Sequence, residues 1–342
     1  MRHAFSADFG LAPGYLNTPS IGVPPVPVAD AVTEAVDRWR AGADAPPDFD
    51  AAVATTREAF ARIVGVPADR VAIGASVSQL LAAVAAGLPD GARVLAAEGE
   101  FTSVTFPFAA QAHRGVSVRE APLAELPSVV DGRDLVAVSV AQSADGAVVD
   151  LAALHAAAES ADVPVVLDVS QAAGWLPLDL EWADWVVGAG YKWLLSPRGA
   201  AWLAVHPRVL ERGRPVAANW YAGEDPWQTV YGMPLRLANG ARRYDLSPSW
   251  LAFVGASVAL PYLASLDLQA VHDHCTGLAD SLLGKLGLPA RGSAIVALDA
   301  GSAADRLAAA GVRSSIRAGH VRLGFHLYNT EEDVERVLDA LG

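Results

Sequence analysis

The sequence predicts an α/β fold: a large domain built on a seven-stranded, mostly parallel sheet, followed by a smaller C-terminal α+β domain. Three observations carry this. Short β-branched runs alternate with alanine-rich stretches of helical period between about residues 50 and 205. These runs are apolar at nearly every position, as expected of strands covered on both faces. Beyond about residue 240 the order changes to a long helical region, then strands, then a last helix, which marks a separate unit. The expected division is 15–240 for the large domain and 241–342, together with 1–14, for the small one.

Taken in order, a helix is expected over Asp50–Val64, where Val53, Phe60 and Ile63 share a face and Gly65 is the stop. Seven strands follow, at Val71–Gly74, Arg93–Ala97, Val116–Arg119, Leu135–Val140, Val165–Val169, Trp185–Gly188 and Ala200–Val205. Helical stretches at Ser78–Ala86 and Leu151–Ser160 supply crossovers between them. Residues 206–245 read as irregular, and their Trp220, Tyr221, Trp227 and Tyr231 suit either a lid or plain packing. A helical region from Ser249 to about Leu286 precedes strands at Ser293–Leu298, Arg313–Arg317 and Val321–His326. Thr330 and Asp333 are spaced as a capping box that opens a final helix.

Composition excludes several function classes. A net charge of −13 without any cluster of Lys or Arg argues against nucleic-acid and anionic-membrane partners. Mean hydropathy is +0.28, yet no apolar run reaches the ~18 residues that span a bilayer. The single cysteine, Cys275, rules out an internal disulfide and fits a reducing compartment. The first residues lack the apolar core of a signal peptide, so a cytoplasmic location is expected. In His272-Asp273-His274-Cys275, residues two apart on a helix point in different directions, so no metal site is expected.

In a parallel α/β sheet, ligands bind beyond the C-terminal strand ends. Three such ends carry suggestive polar residues. In Gly74-Ala75-Ser76-Val77-Ser78 a strand enters a helix through small residues, which makes either an anion site or an ordinary cap at Ser76. Asp168 ends a buried strand, where it could keep a heterocyclic nitrogen protonated or merely cap the next helix. Of the 25 Lys and Arg residues only two are lysine, and Lys192 lies among apolar and glycine neighbours in Gly190-Tyr191-Lys192-Trp193. Codon usage can produce an arginine excess, and a lone lysine can simply snorkel. However, a desolvated lysine also does what guanidinium cannot: it loses its proton and attacks a carbonyl carbon. A phosphate turn, a buried Asp and such a lysine are together what pyridoxal 5′-phosphate requires.

With those residues, the chain resembles the class V aminotransferase family of fold-type-I pyridoxal-phosphate enzymes. That family includes cysteine desulfurases, kynureninases, isopenicillin N epimerase-like proteins and ergothioneine-pathway C–S lyases. The likeness runs from Gly14-Tyr15-Leu16-Asn17-Thr18 to Leu327-Tyr328-Asn329-Thr330 and beyond. It implies that Lys192 attaches the cofactor covalently and that Asp168 pairs with its ring nitrogen. Gln171 takes the place of the residue bonded to the ring hydroxyl, and Ser76 with Val77 that of the phosphate turn. Phe101 falls where an aromatic or His stacks on the ring. Ser143 lies near the position of a further cofactor contact, with Gln142 as the alternative. Arg322 matches the arginine that takes the substrate carboxylate, although an arginine there could equally form a domain-packing ion pair, and Asn17 belongs to the same substrate side. Tyr191 can donate one hydrogen bond to the phosphate; Ala189 cannot, so one contact must come from elsewhere.

The resemblance further implies an amino-acid substrate and a homodimer, with Tyr244-Asp245-Leu246-Ser247-Pro248 reaching the neighbour's phosphate. Transamination is the preferred reaction, since no leaving-group acid or additional nucleophile is visible. β-Elimination, C–S cleavage or kynureninase-like cleavage is the alternative, and a catalytically silent binding protein is a third reading. Ser314-Ser315-Ile316-Arg317-Ala318-Gly319-His320 holds no cysteine, so the chain is not expected to be a cysteine desulfurase.

Overall fold

The computed structural model describes all 342 residues. In chain order the elements are β1 (Arg2–Ala4), β2 (Ala7–Phe9), α1 (Val26–Arg40), α2 (Asp50–Val64), β3 (Val71–Gly74), α3 (Val77–Gly87), β4 (Arg93–Ala97), α4 (Thr102–Ala109), β5 (Ser117–Ala121), β6 (Leu135–Ser139) and α5 (Leu151–Ala161). There follow β7 (Val165–Asp168), β8 (Trp185–Ala189), β9 (Ala201–Val205), α6 (Trp250–Ser265), α7 (Leu268–Lys285), β10 (Ile295–Asp299), α8 (Ala303–Ala309), β11 (Ser315–Arg317), β12 (His320–Gly324) and α9 (Glu331–Leu341).

Seven strands form one sheet in the order β3-β9-β8-β7-β6-β4-β5, and every strand but β9 runs the same way. Its inner strands are buried along their whole length, as their continuous apolar sequence requires. Successive side chains go to opposite faces. Ile73, Leu95, Val138 and Leu167 join Phe60 and Ile63 of α2 and Phe253 of α6 in one core. Ala72, Val94, Ala137 and Val166 join Leu80 and Val84 of α3 and Phe108 of α4 in another. The result is three layers, with helices on both sides of the sheet.

A third core lies in the C-terminal unit, where Leu278 and Leu282 of α7, Val321 and Leu323 of β12 and Val337 of α9 pack together. Its sheet is antiparallel, in the order β10-β12-β11. Leu16 sits in this core, and Asn17 bridges to Gly324, so the N-terminal segment is stitched to the unit that carries Arg322.

Most elements fall where the sequence places them, including the Asp50–Val64 helix, which ends at Gly65 with φ +70°. The helical region from Ser249 to Leu286 is two helices that meet at 91°. Asp267 starts the second by accepting from the amides of Gln269 and Ala270. No single helix is long and apolar enough to cross a membrane. The irregular stretch is tied down by aromatic groups, since Tyr221 Oη and Trp227 Nε1 both donate to the Asp50 carboxylate, at 3.0 and 2.8 Å. Tyr231 is exposed.

One buried ion pair fixes the strand that leads into Ser76. Asp245, 1% exposed, accepts from Arg57 at 2.9 and 2.6 Å and from the Ile73 amide at 2.8 Å. Removing one partner of such a pair strands the other charge. Arg57→Met is therefore expected to destabilise the chain by about 3–5 kcal/mol, read from denaturant unfolding of the purified variant. A change below ~1 kcal/mol would mean that the pair is solvated.

Candidate active site

The site is assembled from loops that leave the C-terminal ends of β3, β4, β6, β7 and β8. Strand register brings them together: Gly74 faces Ala201, which faces Ala189, while Val187 faces Asp168, which faces Ser139. Ser76 therefore lies about two strand spacings, ~10 Å, from the exit of β8.

Lys192 follows β8 in a turn held from several sides. Gly190 donates to Ala200 and accepts from Ser196, both at 3.0 Å. The Gly22 amide donates to Tyr191 at 3.0 Å, and any Cβ at Gly22 would collide with the Lys192 carbonyl. The next side chain, Trp193, donates its indole N–H to Gln171 Oε1 at 2.8 Å. Its carbonyl accepts from His326 Nε2 at 3.0 Å. Burial drives His326 down to about 3, so the ring is neutral and its proton sits on Nε2.

The Lys192 side chain is 6% exposed and donates to no protein group. Its Nζ lies 5.3 Å from the Phe101 ring centre and 5.6 Å from that of Tyr191. Burial lowers its pKa from 10.5 to about 8; Asp168 opposes the shift, and Arg322, Arg317 and Arg198 add to it. Asp168 is also buried, and desolvation raises its pKa against the bonds from Ser170 and the charge of Lys192. One of its oxygens accepts from the Ser170 amide at 2.8 Å, and the other accepts from no protein group.

The remaining candidates divide into those with free valences and those without. Val77 and Ser78 begin α3, and their amides have no acceptor in the chain, while Ser76 Oγ caps Gln79 at 3.4 Å. Tyr191 has a free hydroxyl, and Arg198 lies 4.9 Å over its ring. Gln171 has both amide N–H groups engaged, donating to Pro19 at 2.9 Å and to Ser143 at 3.2 Å, while its Oε1 accepts from Trp193 and keeps one lone pair. Ser143 Oγ accepts from both Gln171 and Arg322, which leaves its own O–H to donate elsewhere. Gln142, the alternative at this position, is turned away and bonds Glu100 at 3.0 Å. Arg322 is 1% exposed and bonds Ser143 Oγ at 2.9 Å and Ser20 Oγ at 3.0 Å, with Nε unpartnered. Burial lowers it to about 10, so it remains a cation at neutral pH. Asn17 Oδ1 is likewise buried without a partner.

Two groups here were not anticipated. Ser20 supports Arg322 from the N-terminal segment. Glu100 is buried and gathers the Phe101 amide at 2.8 Å, the Ser139 amide at 2.7 Å, the Ser139 hydroxyl at 2.6 Å and Gln142. It thereby locks the Phe101 turn to the end of β6. No local signal singles it out, since Glu98, the charge directly after β4, is exposed. Tyr244 and Asp245, the first two residues of the segment expected to reach a neighbouring subunit, bond Leu210 and Arg57 of their own chain.

The unpaired groups suit pyridoxal phosphate. They comprise a free amine, a carboxylate with one vacant oxygen, an aromatic ring beside the amine, two open amides at a helix start and a guanidinium with a vacant N–H. Lys192 and Asp168 form no direct ion pair, although each feels the other's charge.

Comparison with known proteins agrees. A family model described as Aminotransferase class-V matches residues 28–291. An uncharacterized aminotransferase, YcbU of Bacillus subtilis, is 28% identical over 83% of this chain and 82% of its own. The kynureninase of Deinococcus radiodurans is 30% identical over 81% of this chain and 72% of its own. The cysteine desulfurase of Thermococcus onnurineus superposes with a TM-score of 0.81 at 19% identity, over 96% of this chain and 94% of its own. A C-DES variant with glycine covalently linked to its PLP cofactor superposes at 0.82 and 20% identity, over 96% of each chain. The fold is fold type I, and the cofactor is pyridoxal phosphate. The expected exclusion of cysteine desulfurase does not stand, because such enzymes share this fold over almost the whole chain. It rested on the composition of a single hairpin, which leaves the rest of the cleft unaddressed.

Two outcomes follow from this geometry. Only the neutral amine captures an aldehyde, so capture of pyridoxal phosphate by the cofactor-free chain should accelerate about tenfold per pH unit below 8 and level off above it. Asp168→Asn should move that midpoint down and Arg322→Gln move it up, since their charges act in opposite senses; stopped-flow absorbance reads all three. A midpoint near 10.5 would mean a solvated amine. Gly22→Ala should cost about 1–3 kcal/mol and impair attachment, whereas Gly10→Ala, which meets nothing within 4 Å, should do neither. Thermal melts and the visible band of the two variants decide it.

Proposed function

The chain belongs to the class-V aminotransferase family, and from that premise we propose an enzyme that transaminates an amino acid, with Lys192 as its proton-transfer residue. Bound pyridoxal phosphate supplies an electrophilic aldehyde and a ring that accepts the electron pair released at the substrate α-carbon. Lys192 would hold the cofactor, and its Nζ, when free, would be the base for the substrate α-proton. Its lowered pKa supports both roles, because the free-base form is accessible near neutral pH. Asp168 holds a negative charge against the ring nitrogen, and a cation there would offset the desolvation that now raises its pKa. Ser76, Val77 and the free Tyr191 hydroxyl receive the phosphate, Phe101 covers the ring, and Ser143 donates its spare hydrogen to the cofactor. Gln171 acts through Ser143 and Trp193 as a positioning residue. Arg322 and Asn17 receive the substrate carboxylate.

The observation that supports transamination is that Lys192 has no hydrogen-bond partner and a pKa lowered to about 8, so one amine can both take and return a proton. Glu100 is held by four donors and is not free to protonate a leaving group. Cleavage of a side chain is the second reading, favoured by the likeness to a kynureninase. A homodimer, a cytoplasmic location and two units complete the proposal, the division falling after α6 rather than near residue 240, because Phe253 and Leu260 of α6 pack in the core of the large unit. Exposed Tyr231, Met233 and Leu235 support a partner surface, and the single buried cysteine supports a reducing compartment.

Incubation of the holoenzyme with a panel of amino acids, followed by product analysis, tests the reading. Keto acid together with aminated cofactor is expected. Ammonia or a cleaved side chain without aminated cofactor would move it to the lyase class. Lys192→Ala should abolish the visible band of attached cofactor and lower turnover at least about 10³-fold. If the intact chain shows no band with added cofactor, the enzyme reading fails.

A further inference from the structure

Arg322 is not alone on its sheet face. In the β11–β12 hairpin, Ser315 pairs with Arg322 and Arg317 pairs with His320. Cross-strand partners share a face, and so do residues two apart on one strand. Ser315, Arg317, His320 and Arg322 therefore project together, and Arg322, through Ser143 and Ser20, shows that this face looks onto the strand ends. Arg317 lies one row nearer the hairpin tip, about 7 Å along the strand.

Charge in this row is unbalanced. Arg317 is exposed, forms no ion pair with a carboxylate, and makes a single side-chain hydrogen bond, to the Ile316 carbonyl at 2.8 Å. The nearest acid on the face is Asp299, which lies across β12 and is 3.7 Å from His320. Ser315 Oγ, directly across from Arg322, is buried with no partner, as is Arg322 Nε. Arg317 also lies close enough for its charge to disfavour the protonated forms of both Lys192 and Arg322. In a chain of net charge −13, two arginines without a carboxylate partner beside a buried amine are a feature that a bound anion would satisfy.

We propose that Arg317 receives a second acidic group, the side-chain carboxylate of a dicarboxylic amino acid whose α-carboxylate is held by Arg322, with Ser315 donating between them. This rests on the amino-acid reading above and names the substrate class. The spacing of one strand row matches an aspartate- or glutamate-sized diacid. The other anion that free guanidinium could serve is the cofactor phosphate, and Arg198, stacked on Tyr191, is a second cation of that kind.

Calorimetry on the holoenzyme separates these, with succinate and glutarate as diacids and propionate as monoacid. The diacids should bind at least about tenfold more tightly than propionate. Arg317→Gln should erase that preference and leave propionate unchanged, Arg317→Lys should keep part of it, and Arg322→Gln should weaken all three ligands. Equal affinity of the wild-type protein for mono- and diacids, or equal loss of both in Arg317→Gln, overturns the proposal. So does loss of cofactor retention in Arg317→Gln with the diacid preference intact, which would assign the residue to the phosphate. The amino-acid reading fails separately: diacid preference with no amino acid turned over refutes that reading alone, whereas turnover of neutral amino acids without diacid preference refutes only the subsite.

Discussion

The rest of the site depends on one desolvated amine held on a backbone that cannot move. Lys192 has no protein partner, and burial favours its neutral form by a margin that the charge of Asp168 only partly offsets. A flexible side chain in that condition would turn to solvent. It does not, because the residues on either side are tied to distant parts of the chain, Tyr191 to Gly22 and Trp193 to both Gln171 and His326. The N-terminal segment, the central sheet and the C-terminal unit therefore all contribute to the position of one nitrogen. His326 is effective in this role because it is neutral: a charged imidazole at a fully buried position would need an anion that this core lacks.

A second constraint is polar satisfaction. At the mouth of β6 and β7 nearly every polar group is engaged, and the few vacancies are informative for that reason. Glu100 and Gln171 act as brackets, the first holding Phe101 against β6, the second joining Pro19, Ser143 and Trp193. The vacancies at Lys192, Asp168, Ser143 and Arg322 face the same region. Chemistry is available only where a valence is left open.

Much of this was legible in the sequence, for a physical reason. The inner sheet strands are buried on both faces and therefore apolar at nearly every position, whereas the edge strand β5, with exposed Ser117, Arg119 and Glu120, is not. Lys192, Asp168 and Ser76 stood out because polar residues at the ends of such strands are few. Other elements left weak traces. Helix α1 follows Pro24 and Pro25, contains Pro27 and buries only Val28 and Ala35, so its periodicity is faint. Helix α4 has Pro107 inside it, and β1 and β2 are three residues each. The roles of Glu100 and Ser20 depend on partners 39 and 302 residues away, and no local pattern encodes such a distance. The turn between α6 and α7 was missed because the apolar run continues through it, and only Asp267 marks the break.

The same physics explains why positions 192 and 322 carry different cations. Burial lowers Lys192 from 10.5 to about 8 and Arg322 from 12.5 to about 10, shifts of similar size in similar surroundings. Because the starting values differ, the outcomes differ in kind. The lysine is brought to where it can give and take a proton near neutral pH, while the arginine stays charged and available to a carboxylate. A lysine at 322, shifted equally, would share the acid–base range of Lys192 and lose its hold on an anion as the pH rose. An arginine at 192 would never release its proton. A single low-polarity cleft can therefore house a base and a permanent cation side by side, provided that the chain supplies the right side chain at each place. In a chain whose cations are almost all arginine, the lysine at 192 is the buried cation that can give up its proton near neutral pH.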